Sequence, residues 1–468
     1  MRPDLDGLQK RLAEIVGPDQ VKAGPSTAAY GVDGVTPALF VRPASEKDVS
    51  SVVKACAEAG AATIPWGGGT AMGLGNIPAR GDVALALDRL NRIVEHDAEN
   101  LTVTVEAGVR LADLQSELSK SGQFLPLDPP AEGVATIGGI LAANSSGPCR
   151  LQYGTARDFV LGMRVVLADG EAIRCGGKVI KNVSGYDMPK LFIGSLGTLG
   201  VITQATFKLL PLPVVRATVC GDFAELGQAA GIVARALDSV LLPEAMEFLD
   251  SGSLGLLASA TGGTEVVAGA SGACPEDARG RASYGLAVAL AGSLETVERQ
   301  ARDFTKLFQD AQSRNTTCLQ NERSTATWRA IRNVFDLLPK SPAERTLCKI
   351  AVPISRTSEM LAAAEELGRR LCLRTAATAH AGSGIVQACY VTAPDSPPVE
   401  SLAEGLAKLR QTAETAGGSL TLQAAPAALK SKLDAWGKPG HALVVMQRLK
   451  ASFDPKGLFN PGRFLGGL

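Results

Sequence analysis

The chain lacks most of the features that would make its function obvious. It carries no charge excess, with 47 basic and 47 acidic residues in 468, so no net field draws it to nucleic acid or anionic lipid. Aromatic residues make up 4%, too few for a base-stacking surface. Nine cysteines lie at 56, 149, 175, 220, 274, 318, 348, 372 and 389, and no two form a C-x-x-C pair. That pattern argues against iron–sulfur clusters and structural zinc. An odd, scattered set reads instead as reduced thiols packed as small hydrophobes, which points to the cytoplasm. No run of about 18 apolar residues exists to cross a bilayer. The start, Met1 to Asp6, is polar and has no apolar signal core.

Glycine is what the chain does have, in three dense segments: Pro65–Gly75, Thr136–Gly147 and Gly194–Thr203. Without a Cβ, backbone amides approach a phosphorylated ligand closely. Any one segment could be an ordinary tight turn. Three within 140 residues, each next to an apolar stretch, suggest one large dinucleotide held by several loops. Gly67–Gly73 does not match G-x-G-x-x-G, no acidic residue follows at the ribose distance, and no G-x-x-x-x-G-K-[ST] loop occurs. The usual nicotinamide and ATP loops are therefore excluded.

The periodicity up to residue 212 mixes helices and strands. Leu8, Leu12, Ile15 and Val16 have helical spacing, ended by Gly17-Pro18. Ser45, followed by Asp48, opens a helix that stops at Gly60. Strands are expected at 62–65, 83–87, 101–106, 160–167, 171–175 and 201–210, with a helix over 111–122. Beyond 213, strands at 216–220, 285–290, 347–352 and 385–391 alternate with helices at 223–236, 294–309, 357–369 and 399–416. Two such β-α-β-like halves imply an α+β unit with an antiparallel sheet and helices on one face. A last helix is expected from Pro439 to Phe453.

The ordered motifs are P-x-G-G-G-T, then P-P-x₅-T-I-G-G-x-x-A-x-N-x-x-G, then Y-G-x-x-R-D-x-V-L-G, then G-Y-D-x-x-x-L-F-x-G-S-x-G-T-L-G-V-I-T. Together they resemble the FAD-linked oxidases of the vanillyl-alcohol-oxidase (PCMH) type, nearest to glycolate oxidase and D-lactate dehydrogenase flavin subunits. The end, Phe453 to Arg463, looks like that family's end. The resemblance implies an α+β fold. Residues 1–212 would be a PCMH-type FAD domain of two α+β halves with its core over about 35–212. Residues 213–425 would be a ferredoxin-like cap over the flavin ring, and 426–468 a helical return to the FAD domain. It implies non-covalent FAD held by Trp66, Gly67, Gly68, Gly69, Thr70 and Ala71 at the pyrophosphate. Pro129, Thr136, Gly138, Gly139, Asn144 and Ser145 would form a second wall, and Gly197, Thr198, Gly200, Val201 and Ile202 would hold the adenosine and flavin edge. Thr70 stands where a flavin-linking His could sit, and Cys149, in a Pro-Cys-Arg turn, reads as a bland thiol.

Relatives that oxidise D-2-hydroxyacids carry G-H-x-G-D-G-N-x-H and a later E-H-G, which bind a divalent metal. Here His380 is kept, while Ser383, Ile385 and Gln387 replace the Asp, Asn and second His, and Ala424-Ala-Pro-Ala replaces E-H-G. One imidazole and an amide do not make a metal site, so no metal is expected. This departure resembles the second flavin subunit of glycolate oxidase, which accompanies a metal-bearing flavin subunit and an iron–sulfur subunit. Oxidising a 2-hydroxyacid needs a base and a cation for the carboxylate. The candidates are His380 as base and Arg332 or Lys349 as clamp, with Arg329 a competitor. His96 and His441 read as surface residues. The expectation is an oxidoreductase subunit acting on glycolate or D-lactate, in the cytoplasm or held at the inner membrane by partners. Its electrons would pass to an iron–sulfur protein or quinone. A stand-alone dehydrogenase and a flavin-carrying relay subunit without turnover remain alternatives.

Overall fold

The computed structural model describes residues 3–178, 186–260, 283–339 and 344–468. Cys274 and Gly185, which opens the G-Y-D motif, lie outside them. The chain forms two compact units: one of Met1–Ser146, Thr155–Leu212 and Asp434–Leu468, the other of Gly147–Gly154 and Pro213–Leu433.

The first unit holds two main sheets. β1 (Val21–Ala23), β2 (Leu39–Val41), β3 (Thr63–Trp66) and β4 (Val83–Ala86) run in the order β1-β2-β4-β3, with β2, β4 and β3 parallel. A buried parallel sheet reads as continuous apolar runs, and Val83–Ala86 is buried throughout. β5 (Ile93–Asp97), β6 (Thr102–Glu106), β8 (Val160–Val166), β9 (Ala172–Gly176) and β10 (Val201–Lys208) form an antiparallel sheet ordered β5-β6-β10-β8-β9. A two-stranded ribbon pairs β7 (Gln123–Phe124) with β11 (Leu210–Pro211). The helix Glu46–Ala59 starts where Ser45 Oγ accepts from the Asp48 amide at 3.2 Å and stops at Gly60 in the left-handed region. β5 escaped the sequence reading because its Ile-Val-Glu-His-Asp alternation is polar and half-exposed. His96 on β5 is correspondingly not a free surface residue: its Nε2 pairs with Gln123 Oε1 at 2.9 Å.

The second unit is built on one eight-stranded sheet in which every neighbour is antiparallel. Its strands are β12 (Val215–Phe223), β13 (Ala245–Leu249), β14 (Tyr284–Gly292), β15 (Asn315–Gln320), β16 (Arg345–Ala351), β17 (Arg374–His380), β18 (Ile385–Val391) and β19 (Ser419–Ala424). The order β15-β12-β14-β13-β17-β18-β16-β19 resolves into two four-strand repeats. In each, the fourth strand lies beside the first, and the third separates first from second. That is the ferredoxin-like arrangement twice over, fused through the two second strands, β13 and β17. The sequence reading found two strands per repeat where there are four. β13 is five residues with no β-branched side chain, β17 is alanine-rich, and β15 is polar, so none carries the β-branched alternation that marks a strand. Phe223, expected to begin a helix, ends β12; the helix is Leu226–Leu237, opened by Glu225 in a capping box with Gln228.

Helices Leu226–Leu237, Leu294–Asp310, Thr357–Arg370 and Val399–Thr415 cover one face of this sheet, which is why Ala377, Ala379, Val386, Ala388 and Tyr390 are fully buried. On the other face, helices Ser251–Ala260 and Asn321–Arg332 close an apolar cluster including Leu249, Leu257, Ala287, Trp328, Ile331 and Ala376. Trp328 Nε1 donates to Thr218 Oγ1 at 3.0 Å there, so its one polar atom is satisfied.

Candidate functional site

In the first unit β3 delivers the chain into the first glycine segment. A Cβ on Gly68 would overlap the carbonyl of Val134, and one on Gly67 would overlap Thr136 Oγ1. The loop therefore packs backbone-on-backbone against the second glycine segment, as only glycine permits. Gly197, at φ +69° against Pro65, brings the third segment to the same place. The three line one solvent-connected cleft, the concave kind of place in which ligands are held.

Trp66, Gly67, Gly68, Gly69, Thr70 and Ala71 line this cleft, as do Thr136, Gly138, Gly139, Gly197, Gly200 and Ile202. Among the described residues, the backbone amides of Gly67 to Ala71 find no hydrogen-bond partner. Consecutive unpaired amides along a cleft suit an anion. Pro129, Asn144, Ser145, Thr198 and Val201 are not part of the lining. Asn144 caps the helix Ile137–Ala143 in the left-handed region, with its Oδ1 buried and unbonded. The Thr198 hydroxyl donates to the Ser195 carbonyl at 2.7 Å. Val201 is buried at the start of β10, Pro129 is buried in the loop after β7, and Ser145 is half-buried.

Two residues that motif reading left without a role also line the cleft, Asn460 and Arg463. Their placement depends on a buried lysine. Lys450 Nζ donates to Asp454 Oδ2 at 2.7 Å, to the Thr198 carbonyl at 2.8 Å and to the Phe459 carbonyl at 2.9 Å. Asp454 in turn accepts from the amides of Leu458 and Phe459. This knot folds 454–460 so that the Asn460 amide bonds the Thr63 carbonyl of β3 and its side-chain Nδ2 reaches Leu196 O. Arg463 Nη2 donates to the carbonyls of Met72 and Leu74, and Nη1 lies 3.6 Å from Asp33. Its Nε and Nη1 are buried without a hydrogen bond. Desolvation pulls this guanidinium down to about 10, still fully charged at neutral pH. The signal for both residues was the Asn460-Pro-Gly-Arg463 ending. Unpaired amides, glycine contacts and a buried cation with spare donors fit the diphosphate of FAD.

In the second unit the polar residues of the sheet collect on the face opposite the four long helices. His380 on β17 stands directly across from Glu247 on β13, so the two repeats meet at this pair. His380 Nδ1 and Glu247 Oε2 are 2.7 Å apart, and both residues are buried, at 5% and 1% exposure. His380 Nε2 is also buried and finds no partner. Along the adjacent row, Thr378, Gln387, Lys349 and Thr421 are opposite one another on β17, β18, β16 and β19, so all four side chains leave the same face as His380.

Lys349 is half-buried, and among the described residues its ammonium has neither a carboxylate nor a hydrogen-bond partner. Burial first, and the charge of Arg150 second, push it down to about 8. Arg332, the other proposed clamp, closes the helix Asn321–Arg332 and is half-buried; Arg329 is exposed on that helix. Neither lies in the row that contains Lys349. Glu247 had no signal in the sequence: a lone Glu in Ala-Met-Glu-Phe-Leu becomes informative only once β13 is paired with β17. Nearby, Glu244 is buried and accepts from Tyr153 Oη at 3.1 Å and Arg216 Nη1 at 3.0 Å. His441 is exposed. Among the described residues no three His, Cys, Asp or Glu side chains are grouped to hold a metal ion.

Comparison with known proteins adds two family matches. Residues 37–176 match the FAD binding domain, and residues 212–464 match the C-terminal domain of FAD linked oxidases. Over 466 residues the chain is 29% identical to the glycolate oxidase subunit GlcD of Bacillus subtilis, covering 97% of this chain and 96% of that protein. It is 28% identical to a D-lactate dehydrogenase of Anaerostipes hadrus, covering 93% and 90% of the two chains. Among solved structures, p-cresol methylhydroxylase with substrate bound superposes with a TM-score of 0.74 at 16% identity, over 98% of this chain and 96% of the other. The 4-ethylphenol oxidase from Gulosibacter chungangensis gives 0.73 at 17%, over 99% and 98%. These two likenesses concern the fold.

Proposed function

Because the chain belongs to the FAD-linked oxidases, and is an FAD-binding oxidoreductase, we propose that it oxidises a small 2-hydroxyacid such as glycolate or D-lactate to the 2-oxoacid. One observation carries this reading: among the described residues, an unpartnered, buried imidazole nitrogen and an ammonium without a counter-ion share one sheet face. Lys349 as ammonium holds the substrate carboxylate by a charge-assisted hydrogen bond. His380 Nε2 takes the proton of the substrate hydroxyl. Bound FAD would supply the acceptor for the α-hydrogen and its electron pair. Gly67 to Ala71 and Arg463 would hold its diphosphate, with Thr136, Gly138, Gly139, Gly197, Gly200 and Ile202 shaping the walls. Pro129, Asn144, Ser145, Thr198 and Val201 support those walls from behind.

Electrons then leave to a partner, an iron–sulfur protein or a quinone, since the sequence has no cluster motif of its own. The similarity to a protein named as a glycolate oxidase subunit makes a multi-subunit assembly the expected setting.

The test is anaerobic. Glycolate or D-lactate is expected to bleach the flavin absorbance of the purified protein, and an iron–sulfur protein is expected to co-purify from the native host. A flavin that is fully loaded yet reduced by no 2-hydroxyacid would favour the second reading, a relay subunit. Ser383, Ile385 and Gln387, standing where metal-dependent relatives have metal-site residues, support that alternative.

A further inference from the structure

We infer that Glu247 is the positioning residue of this site: it fixes the tautomer and orientation of His380, so the pair works as a metal-independent carboxylate–imidazole base. The inference deepens the reading of His380 as proton acceptor and rests on it.

The argument begins with donor counting. An ionised carboxylate only accepts hydrogen bonds. At 2.7 Å from Glu247 Oε2, His380 Nδ1 therefore carries the ring proton, which leaves the Nε2 lone pair free. Nε2 is buried and unbonded, the state in which a base waits for an external proton donor. Taking that proton turns the ring into an imidazolium beside a buried carboxylate, a charge pair that Glu247 stabilises where water cannot. A buried carboxylate that orients a histidine and supports its cation is a known solution for general bases.

A metal centre would need different neighbours. Directly across β18 from His380 is Ile385, and the next residue on that face is Gln387. Glu247 is already bound to the wrong ring nitrogen for a shared ion, and Glu244 is taken up by Tyr153 and Arg216. The donor set does not fit a divalent cation, and the dyad replaces it.

The location gives the pair rigidity. Glu247 belongs to the first ferredoxin-like repeat and His380 to the second, and their strands are hydrogen-bonded neighbours at the centre of the eight-stranded sheet. The charged and titratable groups around the ring are few. β13 supplies Glu247 and β16 supplies Lys349. The short helix Arg150–Tyr153, which packs on β13, brings Cys149, Arg150 and Tyr153, the last bound to Glu244. Helix Ser251–Ala260, which packs on β13 and β17, has no titratable residue. The charged residues of helix Thr357–Arg370, Glu359, Glu365, Glu366, Arg369 and Arg370, belong to the opposite face of β17.

The test uses the FAD-loaded full chain labelled with [¹⁵N]histidine. With three histidines in the sequence, comparison with His380→Gln assigns the ring signals. The Nδ1-protonated tautomer is expected for His380 at neutral pH; an Nε2-protonated ring would overturn the inference. In Glu247→Gln the amide oxygen can still accept from Nδ1, so the charge is removed while the geometry is kept. Flavin reduction by the hydroxyacid should then slow on the order of 10²-fold with substrate affinity unchanged. Removing the anion disfavours the imidazolium, so the acidic limb of the rate–pH profile should move to lower pH. Glu247→Asp should restore most of the rate and return the limb. A slower rate with an unmoved limb, or an unchanged rate, would sink the proposal. If Glu247→Gln fails to hold FAD, the wild-type tautomer and Glu247→Asp decide it. Chelators should leave the rate unchanged; reactivation of a chelated sample by a divalent cation counts against the dyad. Should no 2-hydroxyacid bleach the flavin while the tautomer is as stated, the functional reading fails and the positioning claim stands.

Discussion

The proposed substrate chemistry rests on single residues, and Lys349 is the most exposed to test. Its folded-state value near 8 lies below the ordinary 10.5, so folding disfavours its proton. The sign follows: protonated Lys349 destabilises the fold at pH below about 8, and that penalty is relieved as pH rises from 8 to 10.5. Substrate binding runs the other way, because the clamp needs the charge. Affinity for an unreactive anion such as oxalate, followed by flavin difference spectra, should be flat to pH 7 and fall above about 8. Lys349→Met should raise its Kd roughly 10- to 100-fold, the loss of one hydrogen bond to a charged group, and abolish the alkaline fall. A Kd left unchanged by the substitution would assign the clamp elsewhere, to Arg332 first, whose guanidinium would show no alkaline fall. His380, in a family motif, and Lys349, as one of two candidate clamps, were legible in the sequence as candidates. Glu247, Asn460 and Arg463 were not, since each acquires its role from a partner far away in the chain.

At the scale of elements, the C-terminal knot around Lys450 is what shapes one wall of the dinucleotide cleft. A buried Lys–Asp pair adds little over an apolar substitute, but removing one partner strands the other. Lys450→Met leaves Asp454 buried with two amides and no cation, and frees the carbonyls of Thr198 and Phe459. A loss of about 3–5 kcal/mol is expected, read as a lowered urea midpoint, together with weaker retention of FAD. Retention unchanged despite lowered stability would separate the knot from the cleft. The strands tell a similar story about legibility. β12, β14, β16 and β18 announced themselves by apolar runs, and β13, β15, β17 and β19 did not. Pairing on both sides holds β13 and β17 in place whatever their own propensity, which is the tertiary context overriding a weak local signal.

For the molecule as a whole, the cofactor is part of the stability. A ligand that binds only the folded state stabilises it by RT ln(1 + [L]/Kd), about 2.7 kcal/mol at a hundredfold excess over Kd. Stripping FAD should lower the melting temperature, and adding FAD back should restore it. Acid precipitation should release all the flavin into the supernatant, because Thr70 stands where a linking His could sit and no described cysteine lines the cleft; flavin retained in the pellet would contradict non-covalent binding.

By itself the sequence determined the α+β class, the FAD cofactor and the glycine walls of its cleft. These are local properties: where a backbone must pass close to phosphate or another backbone, glycine is required at a fixed place in the chain, and it can be read there. Tertiary structure decided the rest. It brought Arg463 and Asn460 onto the cleft through a buried lysine, and it doubled the ferredoxin-like repeat. It also set Glu247 against His380 across 133 residues, because strand register and burial, not chain proximity, choose which side chains share a proton.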